Sequence, residues 1–269
     1  MALNNRKQDD GLGGSFVEFI KTIISAGLIA VLIHTFWFEP FYIPSGSMVP
    51  TLLVGDYLVV NKFAYGYSHF SFPFAPDFFS GRWPAGSPKR GDVVVFRPPG
   101  QLDEDFIKRV IGLPGDTIQV TAGQLYINGK LVPRTDQGSY SDDSDRFDES
   151  AADYNGPVLA RDYLETLPGG RVHSILKRTD DPTPDMTGFD KNNTPVYTVP
   201  AGDLFMMGDN RDDSEDSRFL NGPVGYVPVE NVVGPASLIF FSIDLTHPFW
   251  QIWYWPFEIR WGRMFKEIS

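Results

Sequence analysis

Phe106-Ile107-Lys108-Arg109-Val110-Ile111-Gly112-Leu113-Pro114-Gly115-Asp116 is the stretch on which the fold turns. A run rich in β-branched and aromatic residues enters a Gly-Leu-Pro-Gly-Asp turn, a pattern of strands rather than helices. Strand alternation puts Phe106, Lys108 and Val110 on one face and Ile107, Arg109 and Ile111 on the other. Both faces are largely apolar, so one of the two cations is expected in a dry site. A desolvated lysine holds its proton less tightly and can serve as a base near neutral pH. The plainer alternatives are a lysine that snorkels to solvent or one paired with a carboxylate.

Similar short apolar runs lie at Tyr57–Val60, Asp92–Phe96, Thr117–Val120, Leu125–Ile127, Val196–Val199, Leu204–Met207 and Ala236–Ile243, bounded by Gly, Pro and Asp. With 26 Gly and 22 Pro in 269 residues, the chain reads as mainly β, and its pattern does not choose between barrel and sandwich. Hydrophobic residues make up 42%, enough for a core. The absence of cysteine excludes a disulfide scaffold, a thiolate zinc site and a cysteine nucleophile. His34, His69, His173 and His247 are scattered without ligand spacing, so no metal or other cofactor is expected. The net charge of −11 has the wrong sign for a nucleic-acid binder.

The N-terminus indicates where the chain resides. Thr22–Phe38 is free of formal charge, and its 17 residues would span about 26 Å as a helix. Extending back to Phe16 reaches the ~30 Å of a hydrocarbon core and brings in Glu18 and Lys21, close enough to the end to reach headgroups. The expectation is a single transmembrane anchor at 16–38 behind a cytoplasmic tail at 1–15. Phe36-Trp37-Phe38 suits an interfacial anchor better than a signal-peptide cleavage site. Arg6, Lys7 and Lys21 precede the span and the next cation is Lys62, which places the N-terminus in the cytoplasm and the rest outside. His34, inside the span, is expected to be passive.

Two other regions stand apart. Residues 136–185 hold 12 acidic and 5 basic side chains and read as a solvated insertion, with an acidic recognition surface as the alternative. Phe240–Phe265 carries 10 aromatics in 26 residues, and core packing and contact with a membrane interface both fit that composition.

Two further segments bear chemistry. Phe41-Tyr42-Ile43-Pro44-Ser45-Gly46-Ser47-Met48-Val49-Pro50-Thr51-Leu52 is a stiff turn between prolines that could present a serine. Gly208-Asp209-Asn210-Arg211-Asp212-Asp213-Ser214-Glu215-Asp216-Ser217-Arg218 is a polar loop, either structured or merely a solvated hairpin. These two, with Arg90–Phe96 and Ile107–Asp116, occur in the order of the motif boxes of bacterial type I signal peptidases. The chain resembles that family from Phe41 to Asp116 and from Gly202 to Val233.

The resemblance implies a membrane-anchored Ser/Lys endopeptidase that removes signal peptides from exported preproteins after Ala-x-Ala-like sites. It implies Ser47 as nucleophile and Lys108 as general base, with an oxyanion hole from the Ser45 hydroxyl and the Ser47 N–H. Ser214 would orient the lysine amine, and Arg109, Asp209, Arg211, Asp216 and Arg218 would support the loop. The first substrate pocket would be lined by Ile43, Met48, Leu52, Phe106 and Ile107, the third by Phe41 and Val95. Residues 39–116 and 201–269 would form the catalytic β-domain and 117–200 an inserted accessory domain. The setting implied is the bacterial inner membrane, single-pass, with the catalytic domain on the periplasmic side and the protein working as a monomer. One departure is Phe219–Val224, which delays the glycine at Gly225. A repressor-type Ser/Lys autoprotease shares the chemistry but lacks an anchor. A catalytically inactive membrane-anchored β-module that binds exported chains would show a degraded serine or lysine position, and neither is degraded.

Overall fold

The computed structural model describes residues 12–72, 81–140, 160–182, 184, 188–244, 247 and 250–268, without the side chains of 12–15 and 30–36. Most of the expected cytoplasmic tail, the middle of the acidic stretch and the His34 side chain lie outside the described residues.

Helix α1 covers Leu12–Phe36 and leads into strand β1, Phe38–Tyr42. Then come β2 (Asp56–Asn61), β3 (Val93–Phe96), β4 (Phe106–Gly112), β5 (Thr117–Thr121), β6 (Gln124–Ile127) and β7 (Lys130–Leu131). They are followed by β8 (Arg134–Tyr140), β9 (Ala160–Thr166), β10 (Val172–Lys177), β11 (Tyr197–Thr198) and β12 (Asp203–Met207). The chain closes with β13 (Val227–Pro228), β14 (Val232–Ser242), a short α2 (Trp255–Glu258) and β15 (Lys266–Glu267). The fold is mainly β.

The largest sheet runs β1-β2-β14-β3-β4-β12-β13, with β15 added to β14. β14 joins its two halves, pairing with β3 through Val232–Pro235 and with β2 from Ala236 to Ser242. A second sheet holds β11, β5, β6 and β7, and a third holds β10, β9 and β8. Val93-Val94-Val95-Phe96 is apolar without alternation because β3 is covered on both faces. Val93 and Val95 pack with Met48, Leu52 and Leu58, while Val94 and Phe96 pack with Val110, Leu204 and Met206. Ile111 turns the other way, into a third cluster with Ile118, Val120 and Phe205. Each such side chain contributes roughly 1.5–3 kcal/mol over leaving it exposed. β4 is thereby fixed on both faces at the positions that flank its two cations.

Two expectations change. The helix ends at Phe36, and Phe38 opens β1 by pairing with Asn61, so the segment expected at 16–38 is shorter at its outer end. Among the described residues no helix is both long and apolar enough to cross a membrane. Glu18 and Lys21 fall within α1 and shorten its uncharged part. The acidic stretch is not merely solvated, since β9 and β10 bury Glu165, His173 and Lys177. These strands escaped a search for apolar runs because Glu165, His173 and Lys177 share their buried positions with Ala160, Ile175 and Leu176.

Candidate active site

The chain between β1 and β2 makes a single 3₁₀ turn over Gly46–Met48. Pro44 and Pro50 flank it, and Ser45 enters it extended, with φ −127° and ψ 155°. The turn is held from within, Val49 N–H donating to Gly46 O and Leu52 N–H to Met48 O. It is also held from across the molecule. Asn210 donates its backbone N–H to Ser47 O at 3.1 Å and its side-chain amide to Gly46 O at 3.2 Å. Ser47 is left 8% exposed. Among the described residues its own N–H meets no partner, and Ser45 stands exposed beside it.

β4 brings Lys108 to this turn. Its Nζ and Ser47 Oγ are hydrogen-bonded at 2.6 Å. Lys108 is 5% exposed, with the Phe106 ring on one side. Burial pushes its pKa down to about 8, although Asp216, Glu215 and Asp209 pull it up; Arg218 adds to the lowering. At that value a useful fraction of the amine is neutral and able to take a hydroxyl proton near pH 8. The strand reading foresaw one dry cation, whereas both are buried.

Arg109, 0% exposed, faces the loop that follows β12. Its guanidinium forks onto Asp209 through two bonds of 2.8 Å and donates to Gly91 O at 2.7 Å. Thr51 Oγ1 donates to the same carboxylate at 2.5 Å. Burial works to raise the Asp209 pKa, but Arg109 and the hydrogen bonds hold it below the usual range. Arg218 forks onto Asp216 in the same way, at 2.8 Å twice, and donates to Arg211 O. Arg211 is bound in turn by Glu165 of β9, at 2.9 and 2.5 Å. The five expected support residues are thus brought together in ion pairs, with Glu165 added.

Ser214 behaves differently. It is buried close to the Asp216 carboxylate, and no hydrogen bond joins its hydroxyl to the Lys108 amine. It packs over Gly208 instead: a Cβ there would lie 2.2 Å from Ser214 Oγ and 2.5 Å from Ser47 O. Only glycine lets the loop come this close to the Ser47 turn. The lysine amine is engaged by Ser47, which leaves Ser214 beside the pair.

The turn and β4 form two walls of a cleft with about 360 Å³ of free volume. Phe41, Ile43, Val95, Phe106 and Ile107 line it, as expected, together with Ser45, Ser47 and Lys108. Met48 and Leu52 do not; both are wholly buried behind the turn, in the core with Leu58 and Val93. Met48 ends the 3₁₀ turn and Leu52 follows it, and both side chains pack into the core rather than onto the wall that Ser47 occupies. Asn210 and Thr51 were missed as site residues although both lie in the quoted motifs. Glu165 and His173 had no local signal at all.

A β-sheet protein that presents a serine to a desolvated amine in a cleft lined by apolar side chains and by Glu104, Asp105, Asp213 and Glu215 has the build of a hydrolase. The family model described as "Signal peptidase, peptidase S26" matches residues 16–241. The chain belongs to that signal peptidase family and is a serine endopeptidase that removes signal peptides. A signal peptidase I of Rickettsia typhi is 38% identical over 100% of this chain and 98% of its own length. One from Rickettsia canadensis is 43% identical over 81% of this chain and 77% of its own. A solved signal peptidase I from Enterococcus faecalis V583 is 26% identical and covers 56% of this chain and 97% of that one, with a TM-score of 0.29.

Proposed function

We propose that this endopeptidase cuts exported preproteins after Ala-x-Ala-like sites, with Ser47 as nucleophile and Lys108 as general base. The observation that carries the reading is the 2.6 Å bond between Lys108 Nζ and Ser47 Oγ inside a nearly dry cleft. The neutral amine takes the Ser47 proton as Oγ attacks the scissile carbonyl carbon. The oxyanion is met by the Ser47 N–H and the Ser45 hydroxyl. When the tetrahedral species collapses, the Lys108 ammonium returns the proton to the leaving amine, which departs and leaves an acyl ester on Ser47. Water then attacks the ester, losing a proton to Lys108; as the tetrahedral species collapses Lys108 returns that proton to the departing Ser47 Oγ, and the signal peptide leaves as a carboxylic acid that ionises in solvent. Ser214 orients the lysine once substrate fills the cleft. Shallow apolar walls from Ile43, Phe106 and Ile107, with Phe41 and Val95 at the third position, reject bulky side chains by steric clash.

The same reading anchors the chain in the bacterial inner membrane through the helical part of the expected segment, 16–36, with 1–15 in the cytoplasm and the catalytic parts, 39–116 and 201–269, on the periplasmic side. Residues 117–200 form the inserted accessory domain. No cofactor takes part and the monomer is sufficient. Supporting the anchor, Phe16, Phe19, Ile24 and Leu28 of α1 are all exposed. Trp250, Trp253, Phe257 and Trp261 add a second exposed aromatic patch suited to the interface. The test is cleavage of a preprotein by the full chain in vesicles, wild type beside Ser47→Ala. Release of a shortened product by wild type alone supports the reading, and equal cleavage by both overturns it.

A further inference from the structure

Glu165 lies in the stretch whose composition suggests a solvated insertion, yet it is 1% exposed. Its carboxylate grips Arg211 by two bonds. On the adjacent β10, Leu176 N–H donates to Asp209 O and Leu176 O accepts from Arg211 N–H, each at 2.9 Å. The loop is thus laid along the edge of β10 and pinned there by Glu165–Arg211 at its start and by Lys177–Asp212 and Arg178–Asp213 further along. Asn210, which holds the nucleophile turn, is the residue between those two bonds. His173 fills the space behind, 3.6 Å from Glu165 and 3.9 Å from Asp209. Burial, with help from Arg109, pushes its pKa down to about 4, so at neutral pH it is an uncharged wedge.

We propose that Glu165 is a positioning residue for the Ser47–Lys108 pair, acting through Arg211 on the loop from Asp209 to Ser214. A buried ion pair gives little net stability against an apolar isostere, whereas it can fix a single arrangement. Without the Glu165 carboxylate, Arg211 is left beside Asp209 and Asp216, which already attract it. It then competes with Arg109 and Arg218 for them, and the loop loses its place against the turn. Removal of one buried negative charge also leaves the network more positive, which disfavours the Lys108 ammonium. The groups that set that balance around Lys108 are Asp209, Glu215, Asp216 and Arg218; around Glu165 they are Arg211, His173 and Asp209.

The inference rests on the Ser47–Lys108 reading, and it is tested in the full chain with a peptide bearing Ala-x-Ala. Glu165→Gln should lower kcat roughly 10- to 100-fold, the scale of a small misplacement of reacting groups. KM should stay within about twofold, because neither Glu165 nor Arg211 lines the cleft. The midpoint of the alkaline activity limb should move to lower pH. A Glu165→Gln enzyme with wild-type kcat and limb overturns the proposal, as does a loss confined to KM. If near-UV circular dichroism shows that this variant does not fold, Glu165→Asp keeps the charge and shortens its reach. It should again lose kcat at unchanged KM, and wild-type kcat would refute the idea. Lys108→Ala separates the two levels. Activity in that variant would sink the dyad itself, whereas an inactive Lys108→Ala beside a fully active Glu165→Gln would sink only the positioning role.

Discussion

The two faces of β4 treat neighbouring cations in opposite ways. Toward the cleft, Lys108 finds a hydroxyl, an aromatic ring and little water. Toward the loop, Arg109 finds a carboxylate fork, a backbone carbonyl and no water. Side-chain chemistry explains the division. A desolvated lysine can shed its proton, while a guanidinium cannot and must be paired. The cleft face therefore holds a group the fold disfavours in its charged form, and that disfavour is its reactivity. The loop face holds a guanidinium that the fold pairs with Asp209 and Gly91 O, and that pairing is its rigidity.

Breaking either face tests the contrast. Ser47→Ala and Lys108→Ala should each lower kcat by roughly 10⁴-fold or more with the fold intact, and the double variant should be no worse than either single one. Lys108→Arg should fail equally, because its charge stays. Near-wild-type turnover by Lys108→Arg would erase the distinction drawn here.

On the other face, Arg109→Met should damage the fold. It strands the Asp209 carboxylate in a dry site, and breaking a buried pair costs about 3–5 kcal/mol. A lowered urea midpoint at unchanged slope is the expected reading. The sign with pH follows from Asp209, whose carboxyl is held low by Arg109 despite burial. Its stabilising share is present above the ordinary Asp range, near pKa ~3.9, and fades as pH falls through the folded value, so the gap to wild type should narrow in acid. An Arg109→Met protein as stable as wild type at neutral pH would show the pair to be dispensable.

Ser45→Ala sharpens the cleft side. Ser45 is exposed in the cleft, and in the proposed mechanism its hydroxyl meets charge that exists only in the transition state, so kcat should drop roughly 10²–10³-fold with little change in KM. A loss of that size residing in KM would move Ser45 to ground-state binding.

The sequence disclosed one face of this site better than the other. Ser47, Lys108 and the apolar cleft residues lie in short segments whose alternation and turn chemistry are local, and the structure places them together. Met48 and Leu52, which the resemblance put along the first pocket, lie buried in the core with Leu58 and Val93 instead. Glu165 and His173 were invisible, since a buried charge on a strand looks like a solvated one until its partner is known. That partner, Arg211, is 46 residues away. Such pairing is long-range information, and no window of sequence contains it.

The smallest effect expected runs in the stabilising direction. Lys108 falls from its ordinary 10.5 to about 8, chiefly through burial. Between those values the unfolded chain binds more protons than the folded one, so stability attributable to this group rises with pH across that window. Below pH 8 both states carry the proton and the whole penalty stands, roughly 3 kcal/mol at 1.36 kcal/mol per unit. Lys108→Met should lift that penalty, raising the urea midpoint at pH 7 by an amount worth at most that figure. The advantage over wild type should shrink as pH approaches 10.5. Activity of the wild type should move the other way along the same axis, rising on a limb centred near pH 8 as the amine becomes neutral. A limb centred near 10.5, together with a Lys108→Met protein no more stable than wild type at pH 7, would mean that the amine is solvated after all. The two faces of β4 would then differ in their partners but not in the state of their cations.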